Sequence, residues 1–184
     1  MSKIRKRKRI NIAVISLLIL AIAIGIGISL IPKSKAETTE TKDGVWEYII
    51  EVDEDRNRYA TITKYLGGVS ASRDGLNVSI PDWIGTDKVM KISPNAFTYA
   101  DNANQITTIT ISKWVSNIDY LNLSKCPSLS EILVASGNSS FSADIHYMAL
   151  FDRDRTKLIA WPPAKSTGEI PSSVETIGKN AFIG

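Results

Sequence analysis

The sequence predicts a mostly-β protein: short coils stack into a solenoid behind a β-hairpin cap, and one hydrophobic helix precedes them. Three observations carry this prediction. Residues 10–31 are almost wholly apolar and follow a basic cluster. Residues 45–66 hold two β-rich runs around a polar turn. From residue 77 onward the chain repeats one pattern of apolar side chains, and such repeats are stable only when they stack on one another.

The basic charge of the chain lies in its N-terminal segment. Residues 1–36 contain eight Lys and Arg and no acidic residue. The other 148 residues keep 14 of the 22 basic side chains against all 19 acidic ones, a net charge of −5. Binding to nucleic acid needs a basic surface that neutralises phosphates, so we expect no nucleic-acid partner.

Residues 10–31 are long enough to cross a membrane. A helix of this length extends roughly 33 Å, close to the ~30 Å hydrocarbon core of a bilayer. The basic residues before it orient the N-terminus toward the cytoplasm, and the rest of the chain is then exported. Ser34 and Ala36 form a signal peptidase pattern with cleavage before Glu37, although the apolar run is long for a signal peptide. Residues 1–36 are therefore either a cleaved signal peptide or a retained membrane anchor.

A short polar linker, residues 37–44, leads into a predicted hairpin cap, residues 45–68. Its two β-rich runs flank an Asp- and Asn-rich turn, which is typical of a β-hairpin. That turn begins like a calcium loop, with Asp53, Asp55 and Asn57. An EF-hand needs Gly and Glu where this chain has Arg58 and Lys64, so we predict a solvated turn.

Three segments between residues 77 and 184 follow one pattern. In each, Val and Ile stand three residues apart and a Phe or Leu follows five residues after that Ile. An earlier Ile stands four residues before the Val in the second and third copies. In the first copy five extra residues around Gly85 lengthen this step to nine. The copies are Ile80–Val89–Ile92–Phe97, Ile111–Val115–Ile118–Leu123 and Ile170–Val174–Ile177–Phe182.

A second match supports the repeat, because Ile109-Thr110-Ile111 recurs 23 residues later as Ile132-Leu133-Val134. A period of 20–29 residues with short β runs is typical of leucine-rich repeats. Pro81 and Pro171 lack a backbone donor and are expected to end strands. Stacking predicts a shared set of buried core positions, namely Ile80, Ile109, Ile111, Ile132, Ile170, Val174 and Ile177.

A second hairpin, residues 141–163, is predicted between the second and the last copy. Residues 147–151 and 156–163 are its apolar arms, and residues 152–155 (Asp-Arg-Asp-Arg) are its turn. Asp152 and Asp154 alternate with arginines there, which indicates a solvated turn in preference to a pair of catalytic carboxylates.

Residues 44–184 resemble the BspA-type leucine-rich-repeat family. The resemblance is carried by residues 170–182, by residues 126–132, by Asn138 to Phe141 with the hairpin residues 150–162, and by the opening segment from Trp46 to Tyr65. Asn122-Leu123 in place of Ala-Phe, and Ser112 in place of Pro, depart from the pattern. The resemblance implies a bacterial surface or secreted protein with a role in adhesion, and it transfers no catalytic residue.

Individual side chains offer little material for chemistry. Cys126 is the only cysteine, which excludes an internal disulfide, and its place in the repeat predicts a buried core thiol. His146 is the only histidine and is expected at the surface or packed on its hairpin. Glycosylation patterns start at Asn77, Asn122 and Asn138, and they carry no weight if the source is bacterial, as the resemblance implies.

The four tryptophans stand too far apart in sequence to predict a local aromatic platform. Most of them are expected to pack in the core. Trp83 and Trp114 fall in loops between strands, where exposure is possible.

These observations predict a non-catalytic, cell-surface or secreted module that binds proteins in the manner of an adhesin. No cluster joins a nucleophile, a base and an orienting partner, so we expect neither an enzyme nor a metal or other cofactor. The alternative is a structural spacer within a larger surface protein.

The resemblance implies a host matrix protein or another surface protein as the partner, and the membrane is a further partner if residues 10–31 are retained. The sequence ends two residues after Phe182. This predicts either a truncated form of a longer array or a C-terminal edge that pairs with another chain.

Overall fold

The computed structural model describes residues 39–41, 44–68, 73, 75–143, 146–166 and 168–183, all within the compact unit Ala36–Gly184. The predicted leader, residues 1–36, lies outside them. Among the described residues no helix is long and apolar enough to cross a membrane. The same residues are mostly β, as predicted, with one short 3-10 helix at Ala103–Gln105 and no α-helix.

Twelve strands are found in the described part of the chain. They are β1 (Thr39–Glu40), β2 (Trp46–Val52), β3 (Arg58–Tyr65), β4 (Leu76–Ser79), β5 (Trp83–Ile84), β6 (Asp87–Ile92), β7 (Ile106–Ile111), β8 (Glu131–Val134), β9 (Phe141–Ala143), β10 (Leu150–Asp152), β11 (Lys157–Ala160) and β12 (Thr176–Ile177).

The coils stack through parallel strand ladders. Strands β4, β7 and β8 form one ladder, in which Val78 lies opposite Ile109 and Ile109 opposite Ile132. The repeat register predicted from Ile109 and Ile132 is confirmed. On another side of the coil, an isolated parallel bridge joins Lys91 to Asn117. This is the pairing expected when Val89–Ile92 and Val115–Ile118 are equivalent.

The N-terminal hairpin joins this stack through its second strand. Strands β2 and β3 pair antiparallel, and β3 then pairs parallel with β6, with Ile62 opposite Ile92. Strand β3 therefore takes the place of a coil below the first repeat. The other edge of β3 pairs with β2, and the outer edge of β2 pairs with β1.

The second hairpin repeats this arrangement. Strands β10 and β11 pair antiparallel, and β11 pairs parallel with β12, with Leu158 opposite Ile177. Strand β9 adds to the other side of β10. The four strands form a sheet in the order β12-β11-β10-β9.

The core follows the stacked coils, and most predicted core positions are buried in it. Ile80, Ile109, Ile111 and Ile132 are buried, as predicted. For the last copy the prediction was wrong: Ile170 and Ile177 are exposed, and Val174 is only half-buried. No described coil lies beyond them, so their apolar side chains have a neighbour on one side only.

Candidate binding surface

The five extra residues of the first repeat build a small hairpin. Strands β5 and β6 pair antiparallel across a two-residue turn, with Ile84 opposite Asp87 and Trp83 opposite Lys88. Gly85 occupies the first turn position with φ +61°, a conformation that glycine adopts without strain. The insertion therefore presents Trp83 and Lys88 side by side on the outside of the coil.

The next coil brings a second indole to the same place. Trp114 follows β7, and its ring centroid lies 6.2 Å from that of Trp83, with the rings inclined at 70°. The expectation that the tryptophans are too widely spaced for an aromatic platform was wrong. Stacking places the loops of successive coils side by side although 31 positions separate Trp83 from Trp114 in sequence.

Two lysines lie against this indole pair. The Nζ atom of Lys88 is 3.9 Å from the ring centroid of Trp114 and 5.6 Å from that of Trp83. The Nζ atom of Lys113 is 4.7 Å from the Trp114 centroid. The quadrupole of the indole ring attracts an ammonium group at this distance, and this cation–π interaction contributes about 0.5–1 kcal/mol at an exposed site. We refer to Trp83, Lys88, Lys113 and Trp114 as the indole–lysine cluster.

Backbone contacts fix the loops that carry the cluster. The carboxylate Oδ1 of Asp82 accepts the backbone N–H of Lys113 at 3.0 Å, so Asp82 ties the first coil to the second. The backbone carbonyl of Asp82 accepts the N–H of Val89 at 3.0 Å. These bonds fix the loop that carries Trp83 to the loop that carries Trp114.

An ion pair supports the strand that carries Lys88. Arg58 donates from Nε and Nη2 to the two carboxylate oxygens of Asp87, both at 3.1 Å. These hydrogen bonds, despite the opposing effect of burial, hold the pKa of Asp87 below its usual value. Asp87 is thus a charged partner of Arg58, and it anchors β6 beside the hairpin β2–β3.

The cluster is accessible and offers apolar and basic surface for contact. The Trp83 side chain is 48% exposed and Trp114 is half-buried. Exposed indoles provide flat apolar area at low entropic cost, and the lysines add attraction for carboxylates. In the regions that the structure describes, no group of three or more His, Cys, Asp or Glu is placed to hold a metal ion.

Cys126 is a core thiol, as predicted. It is buried between coils with Sγ 3.9 Å from the carbonyl oxygen of Phe97. Burial raises the pKa of the thiol to about 12. Cys126 therefore stays protonated at neutral pH, and a thiol in that state is a poor nucleophile.

The histidine and the other two tryptophans considered in the sequence analysis lie apart from the indole–lysine cluster. His146 is exposed, and its carbonyl oxygen accepts the Nζ of Lys165 at 3.1 Å. Trp46 and Trp161 are buried, as expected of core residues. The Trp161 indole N–H donates to the carbonyl oxygen of Lys165 at 3.1 Å. None of these three side chains belongs to the indole–lysine cluster.

The two acidic turns are structural. Asp53 accepts the backbone N–H of Asn57 at 2.7 Å, and Asp152 accepts the backbone N–H groups of Thr156 and Lys157 at 2.8 and 2.9 Å. Burial alone raises the pKa of Asp152, but these bonds and that from the Thr156 hydroxyl outweigh it and keep its pKa low. Asp154 is exposed in the same turn.

The structural role of Asn138 was not predicted from the sequence. Asn138 is buried, and its Nδ2 donates to the carbonyl oxygens of Ser112 and Val115 at 2.8 and 2.9 Å. Its Oδ1 accepts the N–H groups of Ser140 and Phe141, both at 2.8 Å. Asn138 thus joins the turn before β9 to the preceding coil. The Ser- and Gly-rich residues 136–140 around it indicate a turn, but they do not indicate that Asn138 is buried.

Comparisons with known proteins complete the description. No protein-family model matches the sequence, and neither does any curated protein. Among solved structures, a leucine-rich repeat protein from Eubacterium ventriosum is 25% identical, with a TM-score of 0.39 over 59% of this chain and 27% of that one. The pneumococcal vaccine antigen PcpA is 14% identical, with a TM-score of 0.35 over 80% of this chain and 62% of that one. Since both TM-scores are below 0.5, the repeat assignment rests on the strand register alone, and BspA-type membership stays a prediction.

Proposed function

We propose that this chain is a non-catalytic, exported binding module that recognises a protein partner through the indole–lysine cluster. The single observation that carries the proposal is the pair of indoles on adjacent coils, the exposed Trp83 and the half-buried Trp114, with two lysines against them. Tryptophans are enriched among the residues that dominate the energy of protein interfaces. The position of the cluster outside the core makes it available without unfolding the coils.

The chemistry of the cluster favours a partner that offers apolar and acidic groups together. Trp83 supplies the exposed apolar surface, and Lys88 and Lys113 supply positive charge in a body of net charge −5. A carboxylate of the partner gains from both ammonium groups, and an aliphatic or aromatic side chain gains from the indole. A surface-exposed matrix protein is the class of partner that we propose, consistent with an extracellular location.

A second candidate function is that of a spacer whose coils extend a larger array. It is favoured by the exposed apolar positions of the last copy, Ile170, Ile177 and Phe182, which in the preceding copies are covered by a further coil. In that case the indole–lysine cluster contributes no binding energy.

Binding to purified matrix proteins tests the two candidates. The whole chain, solubilised in detergent, is passed over immobilised collagen, fibronectin and laminin, and compared with Trp83→Ala. The matched control is Tyr99→Ala, because Tyr99 is also an exposed aromatic residue with a lysine over its ring, that of Lys64 at 5.2 Å. We expect Trp83→Ala to weaken binding about tenfold or more, as for an interface hot spot, and Tyr99→Ala to leave it unchanged.

Two results would contradict the proposal. If no matrix protein binds the wild-type chain, the spacer function is favoured. If a matrix protein binds equally well to wild type and to Trp83→Ala, the binding surface lies elsewhere on the coils.

A further inference from the structure

The two indoles of the cluster occupy one repeating position of three successive coils. In the ladder of β4, β7 and β8, the paired residues Val78, Ile109 and Ile132 mark equivalent points of these coils. The residues five positions after them are Trp83, Trp114 and Gly137. The third coil therefore carries a glycine where the first two carry indoles.

The two lysines of the cluster lie at successive steps of the stack. The Nζ of Lys88 is close to the rings of both Trp83 and Trp114, at the step between the first and second coils. Lys113 extends from the second coil toward the third, because a Cβ atom on Gly137 would lie 3.4 Å from its Cε and 4.0 Å from its Nζ. The glycine thus leaves room for the second ammonium group.

These two ammonium groups have no carboxylate partner among the described residues. By contrast, Lys91, on the same strand as Lys88, pairs with Glu51 at 3.9 Å. Lys88 and Lys113 lie against indole rings instead. Two neighbouring positive charges on a body of net charge −5 favour a ligand with two negative charges.

We propose that the partner segment is an extended strand with two acidic side chains two residues apart. This inference rests on the proposed function of the indole–lysine cluster and names the chemistry of its partner. In an extended segment, residues two apart point to the same side, and their separation is about 6.8 Å. Each carboxylate then meets one lysine.

The spacing of the lysines fits such a segment. Their Nζ atoms lie at most about 8.6 Å apart, because they are 3.9 and 4.7 Å from one ring centroid, that of Trp114. One step of the stack is about 4.8 Å, and the 6.8 Å spacing lies between these two values. Adjacent acidic residues point to opposite sides of a strand, and residues four apart are about 13.6 Å distant, so both spacings reach one lysine only.

An extended segment fits the cluster better than a helix does. A helix docks through a row of apolar anchors that fill a groove. The cluster presents one well-exposed indole, that of Trp83, beside two charges. A single apolar side chain next to the two carboxylates is enough to cover it.

Synthetic peptides of equal composition test the spacing. Each carries one leucine and two aspartates in a Gly/Ser background, and the aspartates are adjacent, two apart or four apart. Binding of the labelled, end-capped peptides to the whole chain in non-ionic detergent is measured by fluorescence anisotropy. We expect the two-apart peptide to bind about threefold more tightly than the others, because one exposed carboxylate–ammonium contact changes affinity by a factor of about 1.4–5.

A lysine variant tests the assignment to the cluster. Lys113→Gln removes one of the two ammonium groups, so the two-apart peptide should lose its threefold advantage and the other two should change little. Lys165→Gln is the matched control, because Lys165 also lies over an indole, with Nζ 6.0 Å from the Trp161 ring. We expect this control to keep the preference, and thermal unfolding checks that both variants are folded.

Three results would overturn the proposal. Equal affinity of the three peptides, or no binding at millimolar concentration, would exclude the paired carboxylates. Tighter binding of the four-apart peptide would exclude the extended form. A preference that survives Lys113→Gln would exclude the two lysines as its cause. None of these results changes whether Trp83→Ala weakens binding to matrix proteins, so failure of the spacing and failure of the proposed function are distinguishable.

Discussion

The N-terminal and C-terminal hairpins enter the stack of coils in the same way and differ in what covers them. In each, an Asp caps a turn in which an Arg adopts positive φ, Arg56 at 69° and Arg155 at 59°. In each, the second strand pairs parallel with the Val-x-x-Ile run of the following coil. We call residues 45–97 the first junction and residues 146–182 the second junction.

The likeness extends to the aromatic contacts. The N–H of Tyr65 donates to the carbonyl oxygen of Ala96 at 2.7 Å, and the N–H of Trp161 donates to that of Ala181 at 2.6 Å. The next aromatic ring lies 6.4 Å from Tyr65 and 6.1 Å from Trp161, at 43° and 42°. That ring is buried at the first junction, as Phe97, and exposed at the second, as Phe182. The repeat pattern thus sets the shape of a coil, and the neighbouring coil decides its burial.

Replacing Phe97 or Phe182 with alanine is expected to give the largest difference between the junctions in lost unfolding free energy. Phe97→Ala removes a buried ring that packs against Trp46 and Tyr65, and its cost in the free energy of unfolding is about 3–5 kcal/mol. Phe182→Ala removes a ring that is mostly in water and costs about 1 kcal/mol or less. Urea unfolding of both variants measures the difference, and equal losses would contradict the comparison.

Substitution of the two capping aspartates is expected to give a smaller difference in unfolding free energy than substitution of the two phenylalanines. Asp152 is half-buried and accepts two backbone N–H groups and one hydroxyl, so Asp152→Ala costs about 1–2 kcal/mol of unfolding free energy. Asp53 is exposed, and Asp53→Ala costs less than about 1 kcal/mol. Urea unfolding at neutral pH compares the two variants with wild type.

The pH dependence of the Asp152 contribution has a definite sign. Because the folded-state pKa of Asp152 lies below the unfolded value of about 3.9, its stabilisation is complete above that value. The contribution is lost as the pH falls through the folded-state pKa. The stability difference between wild type and Asp152→Ala should therefore narrow on acidification, and a difference that widens would contradict this account.

Replacing the two positive-φ arginines with glycine is expected to have the smallest effect on stability, and the same effect at both junctions. Arg56→Gly and Arg155→Gly place glycine in the left-handed conformation, which removes strain and adds entropy to the unfolded chain. The net gain is up to about 1 kcal/mol in each case, measured by thermal unfolding. A clear loss at one junction alone would mean that the two turns are not equivalent.

The sequence predicted the elements whose pattern is local. Alternating apolar residues predicted the β runs, and the spacing of Ile109 and Ile132 predicted their pairing, because strand registry follows side-chain periodicity. The insertion around Gly85 was recognised, but its hairpin and the meeting of Trp83 with Trp114 were not. Those contacts depend on how loops of successive coils lie beside one another, which sequence spacing does not contain.

Burial of the last copy was predicted wrongly for a related reason. Ile92 and Ile177 occupy the same position of the pattern, so sequence alone assigns both to the core. Ile92 has a coil on either side of it, and Ile177 has β11 on one side only in the described structure. The exposure of Ile177 is therefore a property of its surroundings.

Native-state hydrogen exchange in dilute protein tests the comparison most directly. The amides of Tyr65 and Trp161 make equivalent hydrogen bonds, to Ala96 and Ala181, and differ in how well the surrounding coil is covered. We expect the Tyr65 amide to exchange only through global unfolding, and the Trp161 amide to exchange faster through local opening of the second junction. Equal protection of the two amides would contradict the claim that the neighbouring coil decides the stability of a junction.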